Sequence, residues 1–389
     1  VPEITTRNNL PVQLTNFIGR EKEIAETKQS IAEHRLVTLT GSGGTGKTRL
    51  SLQVAADLLD QFPGGIWFAE LAPLTDPDLI PQAILSAAGM QPQSGKTTLQ
   101  TLIDFLHEKT SLLVFDNCEH LIDSSARLAE MILTDASNVK ILASSREALG
   151  VRGEQVLRVP SLTLPDIKHL PDVGQLSQYE SVSLFVDRAR PVQSDFTITD
   201  QNAQAIAQIC HRLDGIPLAI ELAAARIRML NVEEIATRLN DRFRLLTGGS
   251  RTALPRQQTL RALIDWSYEL LSNNEQALLR RLAIFSGGCT LQSAEQVCSD
   301  EDLVGISPYD VLDLLTRLVD KSLVALDKHP AQSRYRILET VRQYAREKLM
   351  ETGEGEGIRK KHFDYFFKLA TEAEPHIQYG PAQLIWLDK

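Results

Sequence analysis

The stretch Leu36-Val37-Thr38-Leu39-Thr40-Gly41-Ser42-Gly43-Gly44-Thr45-Gly46-Lys47-Thr48 decides the fold of the first part of this chain. Five residues with the pattern of a buried strand lead into G-x-x-x-x-G-K-T, a motif typical of loops that bind phosphate groups. Glycines let successive backbone N–H groups turn towards a phosphate, where a side chain would collide with it. Helical periodicity follows at about residues 50–60, which predicts that the phosphates bind at a helix N-terminus. The stretch therefore predicts binding of a nucleoside triphosphate.

The composition of the 389-residue chain is that of a globular protein, with 43% hydrophobic and 23% charged residues. Its length predicts two to four domains of roughly 100–200 residues each. The sequence has no long apolar run and no signal-peptide pattern, so we expect no membrane partner. Four scattered cysteines without metal-type spacing fit reduced thiols and a cytoplasmic location. The first residue, Val1, is not Met, which suggests a processed or excised fragment.

Strand and helix signals alternate through residues 1–165, the predicted nucleotide-binding domain. Candidate strands lie at residues 35–40, 65–71, 112–116, 140–144 and 155–159, with helical patterns at about 50–60, 78–88, 98–108 and 121–135. Short apolar strands separated by helices predict a parallel α/β sheet that is covered on both faces. A ligand of such a sheet binds at the carboxyl ends of the strands, where the phosphate loop also lies.

The pattern becomes helical after Pro165, which predicts a multidomain α/β plus α protein. Helices at 174–190, 200–213, 217–230 and 232–239 predict a small helical domain over residues 166–250. In residues 251–350, helices at 260–270, 274–283, 291–298 and 308–321 precede strands at 323–326 and 334–338 and a closing helix at 340–350. That order predicts a winged-helix domain. Residues 351–389 read as a Gly/Glu-rich linker (Glu351–Gly357), followed by a helix from about Arg359 to Glu374 that would begin a helical arm.

Leu112-Leu113-Val114-Phe115-Asp116 ends an apolar strand with a carboxylate, the position at which phosphate-loop proteins hold Mg²⁺. Asp116 and the Thr48 hydroxyl form the predicted metal site, and Lys47 would reach the β- and γ-phosphates. The alternative, that Asp116 only caps a turn or helix, stays open.

Asn117 follows at the position where many related ATPases carry an acid that polarises the attacking water. An amide cannot act as a base, and Glu119 is the nearest substitute. An N-terminal helix carboxylate is an equally weighted interpretation of Glu119. The sequence therefore predicts slow ATP hydrolysis.

Three further segments are ambiguous from their residues alone. The strand Ile141–Ser144 leads to Arg146, which either senses the γ-phosphate or is an ordinary surface arginine. Pro217 in Gly215-Ile216-Pro217-Leu218-Ala219 suits the first position of a helix, and spacing does not decide whether this turn packs on a nucleotide. Asn16–Glu21 is either a turn or a clasp on adenine. By contrast, Ser94–Thr98 lacks a preceding strand and is predicted to be a loop and helix cap.

Together these segments resemble the STAND class of signal-transduction ATPases, in particular the NB-ARC-like regulators of bacteria. The strings that carry the resemblance are Phe17–Glu21, Leu113–His120, Ser144–Glu147, Gly215–Ala219 and Leu338–Ala345. The resemblance implies a nucleotide-dependent switch of a transcription regulator. ADP would hold a closed, inactive state, and ATP with Mg²⁺ would give an active state that self-associates.

The resemblance also implies roles for single residues. Phe17 to Arg20 would contact adenine, Arg146 would be a sensor arginine and Pro217 would pack on the nucleotide. A histidine that touches the β-phosphate in related proteins falls on Leu338-Glu339 and is absent, so Arg336 is the candidate substitute. The expected nucleotide-binding residues are Phe17, Ile18, Gly19, Arg20, Gly41, Gly43, Gly44, Thr45, Gly46, Lys47, Thr48, Arg49, Pro217 and Arg336, and the expected catalytic residues are Lys47, Asp116, Glu119 and Arg146.

Partners are predicted from the same resemblance and from charge. An effector domain and superhelical repeats would lie outside the fragment, and Arg359–Lys389 resembles the start of such repeats. Residues 255–350 contain 12 Lys and Arg against 13 Asp and Glu, a net charge of −1, and the whole chain carries −9. Because a DNA-reading module is expected to be basic, this balance predicts no direct nucleic-acid binding by the fragment. A third hypothesis is an ATPase with constant turnover, against which Asn117 argues.

Overall fold

The computed structural model describes residues 8–13, 15–239, 260–300, 305–321, 323–327, 333–337 and 339–377. The chain divides into two compact units, residues 1–263 and residues 264–389. The finer division predicted above (1–165, 166–250, 251–350 and 351–389) stays a prediction. Residues 240–259, the position Leu338 and the final residues 378–389 lie outside the described residues.

A five-stranded parallel sheet forms the centre of the first unit, as predicted. Its strands are β1 (Leu36–Thr40), β2 (Ile66–Glu70), β3 (Leu112–Asp116), β4 (Lys140–Ser144) and β5 (Glu154–Arg158), in the spatial order β2-β3-β4-β1-β5. Strand β4 lies between β1, which ends in the phosphate loop, and β3, which ends in Asp116. The ends of these three strands therefore meet at one edge of the sheet.

Alternate residues of the central strands enter two separate apolar cores, because side chains alternate between the faces of a strand. Leu113 and Phe115 belong to one core, and Leu112 and Val114 belong to the other. The helices that accompany the sheet are α1 (Glu21–Glu33), α2 (Lys47–Asp57), α3 (Ile80–Ala87), α4 (Thr98–Leu106) and α5 (Ile122–Asp135). Thr97 caps α4 in a capping box with Gln100, which confirms that Ser94–Thr98 is a loop and helix cap.

The rest of the described first unit is helical. It contains α6 (Val173–Leu176), α7 (Glu180–Ala189), α8 (Ala203–Arg212), α9 (Pro217–Ala224) and α10 (Val232–Arg238). The prediction of a single helix at 174–190 is wrong, because two separate helices, α6 and α7, occupy this range. The backbone N–H of Glu180 donates to the Thr163 hydroxyl at 3.0 Å, so a residue distant in sequence fixes the start of α7. No local pattern could predict that cap.

The second unit contains α11 (Leu260–Glu269, whose first turn belongs to the first unit), α12 (Asn273–Leu282), α13 (Leu291–Cys298), α14 (Val311–Asp320), β6 (Val324–Asp327), β7 (Arg334–Ile337), α15 (Glu339–Glu351) and α16 (Gly355–Ile377). Strands β6 and β7 form an antiparallel hairpin, and Cys289 extends it through two backbone hydrogen bonds to Tyr335. Helices α12, α13 and α14 followed by this small sheet form a winged helix, as predicted. Helix α16 begins four residues before the predicted Arg359, within the segment predicted to be a linker. No helix in the described ranges is long and apolar enough to cross a membrane.

Candidate nucleotide site

The phosphate loop joins β1 to α2. Gly44 and Gly46 have φ angles of 79° and 89°, in the left-handed region that favours glycine. Gly46 precedes the first residue of α2 and has no side chain, so no side chain caps this helix. The N-terminus of α2 therefore presents its first backbone N–H groups at the loop, which suits an anion.

Lys47 is buried, and its side chain folds back so that the ammonium group contacts the backbone of the loop. Its Nζ donates to the carbonyl oxygens of Gly41 at 2.8 Å and Ser42 at 3.1 Å. Burial lowers the pKa of Lys47 to about 8, partly offset by the negative charge of Glu119. A buried ammonium group bonded only to neutral carbonyls costs free energy, and a phosphate group in the loop would relieve that cost. The loop thus fits a phosphate ligand.

Asp116 receives hydrogen bonds from two neighbouring hydroxyl groups. The Thr48 hydroxyl donates to Oδ1 at 2.8 Å, and Ser144 at the end of β4 also donates to Oδ1. Burial raises the pKa of Asp116 to about 6 against the effect of these two bonds. The structure therefore brings the two predicted metal ligands, Thr48 and Asp116, into direct contact. Carboxylate and hydroxyl oxygens are suitable ligands for Mg²⁺, so this pair of residues fits that ion.

Asn117 follows Asp116 with a left-handed φ of 63°, a conformation that asparagine tolerates better than most residues. Its side-chain amide donates to Asp116 Oδ2 at 2.8 Å, and its backbone N–H donates to the Ser144 hydroxyl at 3.1 Å. Asn117 is thus a donor to the carboxylate of Asp116.

Arg146 and Glu119 form a buried ion pair at the same edge of the sheet. The guanidinium Nε lies 3.3 Å from Glu119 Oε1, and both side chains are only 5% exposed. Both charges contribute to the pKa of Lys47, with Glu119 raising it and Arg146 lowering it. The structure therefore joins the two residues that the sequence left with alternative interpretations, and Arg146 is not a surface arginine.

The Gly215–Leu218 turn packs directly on the phosphate loop. The backbone N–H of Leu218 donates to the Gly44 carbonyl at 3.3 Å. A Cβ atom at Gly46 would lie 3.9 Å from Pro217 Cγ. Pro217 is the first residue of α9, so it combines a structural role at a helix start with contact to the loop.

The segment before α1 also contacts the loop. Arg20 is buried, and its guanidinium donates to the carbonyl of Thr45 at 2.7 Å and of Pro160 at 2.8 Å. Gly19 has a φ of 68°, and a Cβ there would lie 2.5 Å from a carboxylate oxygen of Glu180. Phe17 and the partly buried Ile18 precede them, and the Arg49 guanidinium lies 5.9 Å from the centre of the Phe17 ring.

Arg336 lies in the other unit, on β7, where its Nε is 3.1 Å from Asp327 Oδ2. Its proposed phosphate contact stays a prediction. Sequence reasoning missed three polar residues that complete the site: Ser144 on Asp116, Glu180 on the backbone of Arg20 and Glu221 beside Arg49. Ser144 carried a usable signal, since it ends the strand next to β3. Glu180 and Glu221 carried none, because each reaches the site from a helix far away in sequence.

Two protein-family models match the chain. Residues 31–149 match an AAA domain, and residues 271–350 match a winged helix-turn-helix domain. With the parallel sheet and the helical region between them, these matches show the predicted fold class. Among solved structures, the Walker-type ATPase PABY2304 of Pyrococcus abyssi superimposes with a TM-score of 0.55. It is 13% identical and covers 87% of this chain and 99% of its own, so it supports the fold alone.

Curated relatives occur in Mycobacterium tuberculosis. The uncharacterized protein Rv0894 is 41% identical over 360 residues, which make up 92% of this chain and 88% of Rv0894. The "Putative HTH-type transcriptional regulator Rv0890c" is 47% identical over 340 residues, 87% of this chain and 36% of that protein. The chain thus spans about a third of the length of this regulator relative.

The predicted lack of direct nucleic-acid binding is wrong. The winged helix-turn-helix match and the regulator relatives overturn it. The error came from averaging charge over residues 255–350, because a basic patch on one face is what meets a phosphate backbone. Arg334 and Arg336 are both exposed on β7.

Proposed function

This chain belongs to the protein family that includes Rv0894 of Mycobacterium tuberculosis, and we propose that its phosphate loop operates a nucleotide-dependent switch of the STAND type. ADP would hold a closed, inactive arrangement, and ATP with Mg²⁺ would favour an active one that can self-associate. The observation that carries the proposal is the contact between the Gly215–Leu218 turn and the phosphate loop. Any change in the loop on nucleotide exchange would pass directly to α9.

The residues divide the work of nucleotide binding. Lys47 and the backbone of Gly41–Thr48 would hold the phosphates, and Thr48 and Asp116 would hold Mg²⁺. When bound, Mg²⁺ supplies positive charge that offsets the charge of the phosphates. Phosphate and Mg²⁺ would also offset the free-energy cost of burying two charged side chains. Lys47 would gain an anion beside it, and the ionised form of Asp116 would gain a cation. The differential affinity of the two arrangements for ADP and ATP sets how far the switch moves.

We propose that this site hydrolyses ATP slowly. Asn117 donates to Asp116 and has no basic group with which to take a proton from water. Glu119, the candidate substitute for that base, has Oε1 paired with Arg146. This pair occupies one of the two carboxylate oxygens that could accept a proton from an attacking water. We therefore propose a slow ATPase, and turnover at the rate of a motor ATPase would contradict this.

Light scattering tests the switch. The protein is measured first with ADP and then with a slowly hydrolysed ATP analogue and Mg²⁺, and the analogue is expected to change its size or shape. A Lys47→Ala variant removes the central phosphate contact and is the matched control, for which both nucleotides should give one result. Identical scattering of the wild type in both states would overturn the switch.

The winged helix favours a second function, DNA binding in a cytoplasmic transcription regulator. Its wing carries Arg334 and Arg336 on the exposed side of β7, in a region that matches a winged helix-turn-helix domain. Two arginines on one edge suit contact with the phosphates of a duplex.

A mobility-shift titration in rising salt tests this second function. Replacing Arg334 and Arg336 by Ala should weaken binding and reduce the slope of log K against log salt by about one for each phosphate that the variant no longer neutralises. Arg152→Ala, at an exposed position in the first unit, is the control and should change neither. No shift with any duplex at low salt would contradict DNA binding.

A further inference from the structure

Four groups of the first unit meet beside the phosphate loop, and we call them the Glu221 junction: Arg49, Arg188, Glu221 and the Asn16 carbonyl. Glu221 Oε1 lies 2.9 Å from Arg188 Nε and 3.4 Å from Arg49 Nη1. Both guanidinium groups also donate to the Asn16 carbonyl, at 2.9 Å from Arg188 and 3.0 Å from Arg49. The junction therefore ties α2, α7, α9 and the segment before α1 together.

The junction lies one helical turn from the contact that carries the proposed switch. Pro217 and Glu221 are four residues apart on α9 and share one face of the helix. Pro217 faces Gly46, and Glu221 pairs with Arg49, three residues further along α2. Two successive turns of α9 thus contact the start of α2. Glu221 therefore attaches α9 to α2 one helical turn beyond the contact of Pro217 with the loop.

The charges make Glu221 decisive within this group. Arg49 and Arg188 donate to the same carbonyl oxygen, so their positive charges lie close together. Asp187 also pairs with Arg188, and Glu221 is the carboxylate that bonds both arginines. The side chain of Glu221 is 32% exposed and that of Arg49 is 28% exposed, so salt should screen the attraction. Without the Glu221 charge the repulsion between the two guanidinium groups is offset by Asp187 alone, and α9 loses its second attachment to α2.

We infer that Glu221 is a positioning residue that holds the Gly215–Leu218 turn on the phosphate loop and thereby slows release of the bound nucleotide. The inference rests on the proposed nucleotide site and adds a specific determinant of how long the ligand stays. Glu221 acts through Arg49 and Pro217 and does not itself touch the phosphate loop. Its removal should therefore change the rate of release more than the rate of binding.

Stopped-flow release of a fluorescent N-methylanthraniloyl ADP from the purified protein tests the inference. Glu221→Gln is expected to speed release at least tenfold and to leave the association rate within about twofold of the wild type. Potassium chloride should speed release from the wild type and have little effect on the variant, since the screened pair is already gone. Glu233→Gln, at an exposed position on α10, is the matched control and should release the probe at the wild-type rate.

Arg188→Gln provides a second route to the same junction. It removes one of the two ion pairs of Glu221 and leaves the pair with Arg49, so it should speed release less than Glu221→Gln does. The double variant should release the probe no faster than Glu221→Gln alone, because the pair with Arg188 is already lost in that variant. Release at the wild-type rate from folded Glu221→Gln, or additive effects in the double variant, would overturn the inference. A wild type that binds no probe at all would overturn the nucleotide site itself, which distinguishes the two failures.

Discussion

At the scale of single residues, the site is built from charges that the protein alone stabilises poorly. Burial lowers the pKa of Lys47 to about 8 and raises the pKa of Asp116 to about 6, so burial penalises the charged form of each. The ligands that fit these residues carry the opposite charges. The free energy that the folded chain gives up here is available to bind a phosphate group and a divalent cation.

The raised pKa of Asp116 predicts how stability depends on pH without ligand. A carboxyl group whose pKa is higher in the folded state binds its proton more tightly there, so its contribution is favourable at low pH. The free energy of unfolding therefore falls as pH rises from about 4 towards 6, and above pH 6 this group causes no further loss. The loss is on the order of 3 kcal/mol, at about 1.4 kcal/mol for each tenfold change in the ionisation constant.

Urea denaturation of the wild type and Asp116→Asn at pH 5, 6 and 7.5, with a metal chelator present, checks this prediction. The variant lacks the titrating group, so its stability relative to the wild type should rise from pH 5 to pH 7.5. The same difference in unfolding free energy between the two proteins at all three pH values would show that the pKa of Asp116 is not raised in the folded state.

At the scale of elements, the turn between α8 and α9 couples the helical segment to the sheet. Gly215 has a φ of 64°, and its carbonyl accepts a hydrogen bond from the Leu162 N–H at 3.0 Å. A Cβ at Gly215 would lie 2.5 Å from the Leu162 carbonyl oxygen, closer than real Cβ atoms approach. A side chain there must push the turn, and Pro217 with it, away from its present position.

Gly215→Ala is therefore expected to lower both the unfolding free energy and the affinity for ADP. Gly150→Ala is the matched control, because Gly150 has a φ of 76° with open space around its Cβ position. The control should cost about 1 kcal/mol from backbone strain alone, and Gly215→Ala at least about 3 kcal/mol. Equal costs by chemical denaturation would mean that the turn adapts without moving.

At the scale of the whole molecule, the phosphate loop of the proposed nucleotide site lies in the first unit and the winged helix lies in the second. A ligand that bound and affected only the first unit would stabilise that unit alone, by about 2.7 kcal/mol at a concentration of 100 Kd. A switch requires more, since the second unit must respond to which nucleotide is bound.

Hydrogen exchange at the amides of Cys289 and Tyr335, which bond each other in the wing, measures that response. We expect the exchange rates with ADP to differ from those with a slowly hydrolysed ATP analogue. Lys47→Ala should abolish the difference. Equal exchange of the wild type in both nucleotides would confine the effect of the ligand to the first unit.

Local sequence determined the elements and the chemistry of the loop. The bounds of β3 and β4 agree with prediction to the residue, because apolar runs closed by polar residues fix a buried strand. The glycines and the Lys47-Thr48 pair likewise need only adjacent residues to define a phosphate loop. The order of helices and hairpin in the second unit was predictable for the same reason.

Tertiary structure decided what those residues do together. The start of α7 depends on Thr163, the Arg146–Glu119 pair depends on the pairing of β3 with β4, and Glu221 reaches Arg49 across 172 residues. Each is a polar contact between segments that no periodicity links, so its partner exists only once the chain has folded. The same distinction holds for charge. The net charge of −1 over residues 255–350 follows from the sequence alone. The exposure of Arg334 and Arg336 depends on the folded hairpin.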